Sequence, residues 1–371
     1  MSSSNYQIYF DFGFSKLRAG AFNKINLNET FHTESKFFFD HTEIDKETQK
    51  IITFLEKKTD EYIKDINLMI DSPKTKSIGI SISKKIDETP LRQRDIQFLI
   101  QEAKQQISKY YYDQNIVHII INNYKIDDND YNNLPKDIKG NFISLDILFI
   151  CIPKKIIEHF RNIFLKFNIS INQITSSSYT KAINYKNEFS LYKDISFIDV
   201  GFNKTSIITY IDNKIVSLNV LPIGGNHITK DISKVLKIEI KQAENLKINF
   251  NKNDFFLNDE DYSLELLQKI IYARTEEILD LCAQSIKLNL ATIDIHKIVL
   301  TGEGSKIFEH QYEDKISGVK DIFLFEETTH DICQSGFKLG MGLNKQEVVV
   351  VPKIQIKQGF FEKLFHFFEI K

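Results

Sequence analysis

Phe10-Asp11-Phe12-Gly13-Phe14-Ser15-Lys16 and Ile198-Asp199-Val200-Gly201-Phe202-Asn203-Lys204 are one pattern written twice: apolar, Asp, apolar, Gly, Phe, polar, Lys. Each copy closes one alternating apolar stretch and opens another, 8–10 then 17–21 in the first, 197–200 then 207–210 in the second. Alternation broken by a glycine reads as a strand, a tight turn and a returning strand. Two such hairpins, one in each half of the chain, predict two related lobes with a phosphate chain clamped between them.

The residue types suit that task. Glycine removes the Cβ that would block an anion from converging backbone N–H groups. Asp11 and Asp199 stand at strand ends, where a carboxylate can hold a hydrated Mg²⁺. Ser15 and Asn203 are placed to hydrogen-bond phosphate oxygens, and Lys16 and Lys204 to oppose the β- and γ-phosphate charge. A lone D-x-G hairpin is commonly just a turn; the duplication at matching offsets is what favours a shared site. Thr301-Gly302-Glu303-Gly304-Ser305 follows an apolar strand and either lets the backbone approach a purine and ribose or is an ordinary strand-to-helix turn. Gly224 and Gly225 carry the same two readings. Glu244 and Lys247 share a helix face, as part of a site or as a solvated ion pair.

Composition narrows the class. The chain has 371 residues, 42% of them hydrophobic, and a formal charge of −2, enough for several packed units. Lys and Arg are dispersed, with no basic stripe for nucleic acid. Arginines are few (Arg18, Arg92, Arg94, Arg161, Arg274), which argues against phosphate-reading Arg clusters. Cys151, Cys282 and Cys333 lie far apart with no CxxC spacing, so buried thiols in a reducing compartment are expected. The N-terminus lacks the charged and apolar regions of a signal peptide, and no apolar run is long enough to span a bilayer.

Along the chain, strands are expected at 6–12, 16–23 and 32–39, a helix at 48–64 and alternation at 77–82. A helix at 94–107 carries Ile96, Leu99, Ile100, Ala103 and Ile107 at helical spacing. Strands at 116–121 and 142–152 follow, separated by a polar turn at 127–130. Residues 84–160 read as an inserted α+β module or as a continuation of the first sheet. A helix at 154–167 and a strand at 169–174 precede the second lobe, which opens at 194. Its hairpins run to 221, followed by helices over 226–236, 240–250 and 263–290, a strand at 295–300, and a last core helix beginning within 336–342.

In order and spacing these segments resemble the actin-like ATPase superfamily and, within it, the bacterial cell division FtsA family. Asp11, Gly13, Ser15 and Lys16 match the first phosphate loop, and Asp199 and Gly201 the second. Gly224, Gly225, Asn226, Ile228, Thr229 and Asp231 match the Gly-Gly-Asn stretch. Ala243, Glu244 and Lys247 match the stretch beside ribose and adenine, and Thr301, Gly302, Gly304 and Ser305 the adenosine loop. The resemblance implies an α/β, actin-like two-lobed fold of two ribonuclease-H-like lobes, with a small α+β subdomain inserted in place of actin's 1B. Its divisions would be 1–83 with 161–193 (subdomain 1A), 84–160 (1C), 194–344 (2A/2B), a tether at 345–358 and an amphipathic helix at 359–371. ATP and Mg²⁺ are the implied cofactors, the ion held through water by Asp11 and Asp199. The chain departs from the family where bulk or charge replaces small residues: Phe14 in the first loop, Phe202, Asn203 and Lys204 in the second, Glu303 in the adenosine loop. Nucleotide binding is therefore expected to be altered and weakened, with hydrolysis slow or absent.

The tail completes the resemblance. At roughly 100° per residue, Phe360, Phe361, Leu364, Phe365, Phe367 and Phe368 share an arc of about 160°. Glu362, Lys363, His366 and Glu369 take the other side. So short a helix needs a surface to fold on, and each fully buried large side chain contributes ~1.5–3 kcal/mol before ordering costs. Lys353, Lys357, Lys363 and Lys371 each add up to about 1 kcal/mol toward anionic lipid. The segment binds a membrane surface, where the family carries its targeting helix, or packs on its own core or a second subunit. By resemblance the protein is peripheral on the cytoplasmic side of the bacterial inner membrane at the division site. The outer part of its second lobe (226–294) would bind the FtsZ C-terminal peptide, its 1C module other divisome proteins, and its copies one another in filaments. The pilus-assembly PilM family shares the architecture but not the aromatic tail, and a sugar-kinase-type phosphotransferase would need a general base, for which the sequence offers no candidate beyond Asp11 and Asp199, whose position suits the metal side.

Overall fold

The computed structural model describes residues 4–36, 43–88, 91–135, 138–250, 263–288, 297–308, 322–342 and 347–348. Strand β1 (Tyr6–Phe12) turns at Gly13 and returns as β2 (Lys16–Asn23), which turns again into β3 (Thr30–Lys36). After helix α1 (Ile44–Thr59), strand β4 (Asp65–Ile70) lies parallel to β1. Strands β5 (Lys76–Lys85), β6 (Gln114–Ile126), β7 (Asn129–Tyr131) and β8 (Phe142–Pro153) form a separate sheet, with helix α2 (Gln93–Tyr110) between β5 and β6. Helix α3 (Lys154–Leu165) leads back to β9 (Ser170–Ser176), parallel to β4, and helix α4 (Ser177–Lys186) follows at once.

The second half repeats the first. Strands β10 (Ile195–Val200), β11 (Thr205–Ile211) and β12 (Lys214–Leu221) run antiparallel. Helices α5 (Gly225–Leu236), α6 (Ile240–Asn249) and α7 (Leu264–Lys287) intervene before β13 (Lys297–Thr301) and β14 (Ile322–Leu324). The two sheets have the same order, β3-β2-β1-β4-β9 and β12-β11-β10-β13-β14, each an antiparallel meander joined to parallel strands. Helix α8 (Thr329–Gly340) packs back on the first lobe, and β15 (Glu347–Val348), inside the expected tether, pairs with β6. The duplicated motif is thus the visible part of a duplicated five-stranded lobe, the actin-like arrangement expected.

The apolar runs of β6 and β8 are continuous because both faces are covered. Ile120, Leu148, Ile150 and Ile152 turn toward the first lobe's core, while Ile119, Ile121, Ile147 and Phe149 turn toward α2, whose Leu99 and Ala103 are fully buried. In the first lobe Phe10 meets Phe164 of α3 edge to face, ring centroids 5.1 Å apart. That contact ties the β1 strand, which ends in the first loop, to the chain leaving the β5–β8 sheet.

Several expectations change. The helix expected at 48–64 is α1, and it ends at Thr59 because Asp60 adopts the left-handed conformation (φ 56°). The central strand β4 was not foreseen: its buried run Leu68-Met69-Ile70 is too short to announce itself by periodicity. The last helix starts before 336, at Thr329, where Thr328 and Asp331 form a reciprocal cap. The amphipathic segment 359–371 and its residues Phe360, Phe361, Leu364, Phe365, Phe367 and Phe368 lie outside the described residues. Among the described residues no helix is long and apolar enough to cross a membrane.

Phe164 is fully buried, so Phe164→Ala is expected to cost ~3–5 kcal/mol in denaturant unfolding; a loss under about 1 kcal/mol would contradict the packing. The three cysteines are buried, and burial pushes the Cys151 and Cys282 thiols up to about 12. Native protein at mildly alkaline pH should therefore react with a thiol reagent only on unfolding. Rapid labelling of the folded chain would refute this.

Candidate functional site between the lobes

The two loops are built alike. Gly13 N–H donates to Lys16 O and Gly201 N–H to Lys204 O, each at 2.9 Å. Both turns line one cavity, together with Asp11, Phe14, Ser15, Lys16, Asp199, Lys204, Gly302 and Glu303. Gly302 has φ +84°, and a Cβ there would lie 2.3 Å from Asp199 Oδ1, so only glycine lets β13 end against that carboxylate.

Each aspartate is already paired with a cation of the chain. Arg18 lies opposite Asp11 in the β1–β2 register, and its Nη1 donates to Asp11 Oδ2 at 3.0 Å. Ser177 Oγ donates to Asp11 Oδ1 at 2.5 Å. In the second hairpin the residue opposite Asp199 is Ser206, which carries no charge. Asp199 instead receives Lys181 from α4, Nζ to Oδ2 at 2.8 Å. Lys181 Nζ also lies 3.0 Å from Glu327 Oε1. Burial by itself pulls the Lys181 ammonium down, and Asp199 and Glu327 outweigh it, raising it above the ordinary lysine value. Burial by itself raises the Asp199 carboxyl, and Lys181 reverses this and holds it below its ordinary value. Burial leaves Glu327 raised.

The loop lysines are paired as well. Lys16 binds Glu303 across the cleft and lies 3.0 Å from Glu34. Burial raises the Glu303 carboxyl, and Lys16 and Arg18 bring it below its ordinary value. Lys204 Nζ lies 3.3 Å from Asp71 Oδ2, at the end of β4 in the other lobe. Asp71 also accepts from Ser176 Oγ at 2.6 Å and Ser178 N–H at 2.8 Å.

The remaining expected residues gather beside the second loop. The start of a helix usually offers free N–H donors to an anion. Here Gly225 N–H donates to Gly201 O at 3.0 Å and Asn226 N–H to Phe202 O at 2.7 Å. Asn226 Nδ2 donates to Asn203 Oδ1 at 2.7 Å. A Cβ on Gly224 would lie 2.5 Å from Gly201 O, and Gly225 faces Gly304. Lys247 Nζ donates to Glu244 Oε2 at 2.7 Å, Thr229 Oγ1 at 2.8 Å and Gly225 O at 3.1 Å. The Glu244–Lys247 pair is buried rather than solvated, and burial lowers the Lys247 ammonium against the pull of Glu244. Ser305 Oγ donates to Gly302 O at 2.6 Å and caps the short 3₁₀ turn Glu303–Phe308.

The expected residues therefore meet in one place, but Arg18, Asp71, Ser177, Lys181 and Glu327 were not anticipated. Arg18 follows from counting the hairpin register back from the turn. Ser177, Lys181 and Tyr185 stand four apart along α4 and reach Asp11, Asp199 with Glu327, and Glu327 in turn. Nothing in the sequence points to Glu327, which lies where the chain crosses from β14 to α8.

The actin-like fold implies a nucleotide with Mg²⁺ in this cleft, and the arrangement does not fit one. The carboxylates that would hold a hydrated ion are bonded to Arg18 and Lys181. The Gly13, Gly201, Gly225 and Asn226 N–H groups and the Lys16 and Lys204 ammoniums, donors that would bind phosphate, are bonded to protein oxygens. The buried Asn226 Oδ1, left without a partner among the described residues, is an acceptor, whereas phosphate needs donors. The cavity between the loops is about 70 Å³, against roughly 300–1,000 Å³ for a small-molecule pocket.

A model of the cell division protein FtsA family matches residues 196–279, which begin in β10 and end within α7. FtsA of Buchnera aphidicola subsp. Schizaphis graminum is 28% identical over 167 residues, 44% of this chain and 39% of that protein. FtsA of Buchnera aphidicola subsp. Acyrthosiphon pisum is 24% identical over 316 residues, 76% of this chain and 74% of that protein. The chain spans about half or less of the length of several curated relatives it matches. A PilM-PilN type IV pilus biogenesis complex has the same fold, with a TM-score of 0.61 over 89% of this chain and 90% of that one at 11% identity, a likeness of fold alone. The chain is thus similar in sequence, over part of its length, to the bacterial cell division protein FtsA, and it is built on the actin-like fold.

Proposed function

We propose that the chain is a cell-division scaffold: an actin-like body that self-associates, anchors the FtsZ ring to the inner face of the cytoplasmic membrane through its C-terminal helix, and recruits later division proteins. The observation that carries this reading is the FtsA-family match over 196–279, the part of the second lobe proposed to take the FtsZ C-terminal peptide. The membrane contact rests on the aromatic stripe of the last residues, Phe360 to Phe368. The β5–β8 sheet, with α2 on its outer face, is the proposed seat of divisome and neighbouring-subunit contacts. ATP with Mg²⁺ binds weakly, in competition with the internal ion pairs, and is hydrolysed slowly or not at all.

A PilM-like role in pilus assembly is the second reading, favoured by the whole-chain fold likeness. A phosphotransferase role is weaker, since Asp11 and Asp199, which a base would have to be, are both bonded to cations.

Capture by an immobilised FtsZ C-terminal peptide, with the N-terminal peptide of a PilN-type protein as the other arm, separates the two main readings. Binding to the first alone supports the division role, and binding to the second alone overturns it. Phe365→Asp is expected to abolish co-sedimentation with vesicles containing anionic lipid; unchanged co-sedimentation would defeat the membrane reading.

A further inference from the structure

We infer that this cleft carries its own cations in place of a metal nucleotide, and that Arg18 and Lys181 hold the two lobes closed whether or not a nucleotide is present. In this duplicated hairpin the two strand-end aspartates line one cavity, and two such carboxylates in a protein interior need positive charge beside them. Arg18 supplies it to Asp11 from the adjacent strand, and its Nη2 lies 3.5 Å from Glu303 of the second lobe. Lys181 supplies it to Asp199 from the other lobe. Lys181 is itself buried, and its ammonium lies among the Asp199 and Glu327 carboxylates. It is a tethered monovalent cation placed where these carboxylates would otherwise require a free one.

The remaining contacts act in the same direction. Lys16 of the first lobe binds Glu303 of the second, and Lys204 of the second lobe lies 3.3 Å from Asp71 of the first. Glu327 accepts from Tyr185 Oη at 2.9 Å and from Gly302 N–H at 3.0 Å, so one carboxylate joins α4 to the end of β13. The Lys181–Asp199, Lys204–Asp71 and Lys16–Glu303 links span the cleft, and the first two are buried on both sides, unlike surface pairs that water and salt reduce to little. A protein closed by its own side chains keeps one lobe arrangement as nucleotide levels vary. Its assembly would then be set by concentration, membrane and partner rather than by a bound nucleotide. This inference rests on the cleft geometry and not on the division reading, so failure of peptide capture would leave it standing.

Thermal unfolding of the full chain with EDTA, with MgCl₂ and with Mg-ATP tests it, together with small-angle X-ray scattering under the same conditions. The wild type is expected to shift by less than about 1 °C with ~1 mM Mg-ATP, and to give the same scattering curve throughout. The Arg18→Ala/Lys181→Ala double variant removes the cations bonded to Asp11 and Asp199. It is expected to melt lower in EDTA and to recover several degrees with MgCl₂ or Mg-ATP, whereas Lys181→Arg stays indifferent to both. A wild type that melts several degrees higher with Mg-ATP, or whose scattering contracts on adding it, overturns the inference. So does a folded double variant that ignores Mg²⁺. Should the double variant not fold, the wild-type melting and scattering decide the matter alone.

Discussion

Lys181 is the point on which the two lobes turn. It belongs to α4, directly after the last strand of the first sheet, and its ammonium rests against Asp199 at the end of the first strand of the second. A buried ion pair is a poor source of net stability, because desolvation consumes most of the Coulombic gain. Its force is negative: once both charges are buried, separating them leaves an uncompensated charge in each lobe. The hairpin loops, Gly302 and Glu327 are all positioned relative to this pair, and the narrow cavity between Gly13 and Gly201 is a consequence.

The same constraint explains why the family motif is only partly kept. A loop that receives phosphate needs free N–H donors and little bulk. Here Gly201 and Phe202 give their carbonyls to the start of α5, and Phe202 lies under the Lys247 ammonium, 5.9 Å from ring centroid to Nζ. Glu303, whose charge would repel a triphosphate, is a partner for Lys16 and Arg18. Departures that look like losses in a nucleotide site are therefore matched to one another as an ion-paired interface. The backbone skeleton of the fold persists because the sheets depend on buried strands and on glycines held by close backbone approach, not on the ligand.

Much of this was legible in the chain. The duplicated pattern gave the two lobes, since a hairpin signal rests on local alternation and one glycine. The α2 stripe was legible for the same reason, each residue's exposure following from its place on one helix. The cleft residues Asp11, Lys16, Asp199, Lys204 and Glu303 were found by motif. What escaped was non-local. Arg18 meets Asp11 only once the register is fixed, and β4 is a short run buried by neighbours distant in sequence. Lys181 and Glu327, 146 positions apart, are brought together by the closure of the lobes alone. Arginine scarcity argued against an Arg cluster but gave no hint that the single Arg18, at the right register position, pairs with Asp11.

The account stands most directly on the coupling between Lys181 and Asp199. A double-mutant cycle, Lys181→Met, Asp199→Asn and both together, measured by denaturant unfolding without nucleotide, reads that coupling. The account expects about 1–3 kcal/mol of favourable interaction between the two positions. Additive losses, with no coupling beyond about 0.3 kcal/mol, would mean that the lobes are not joined there and would contradict it.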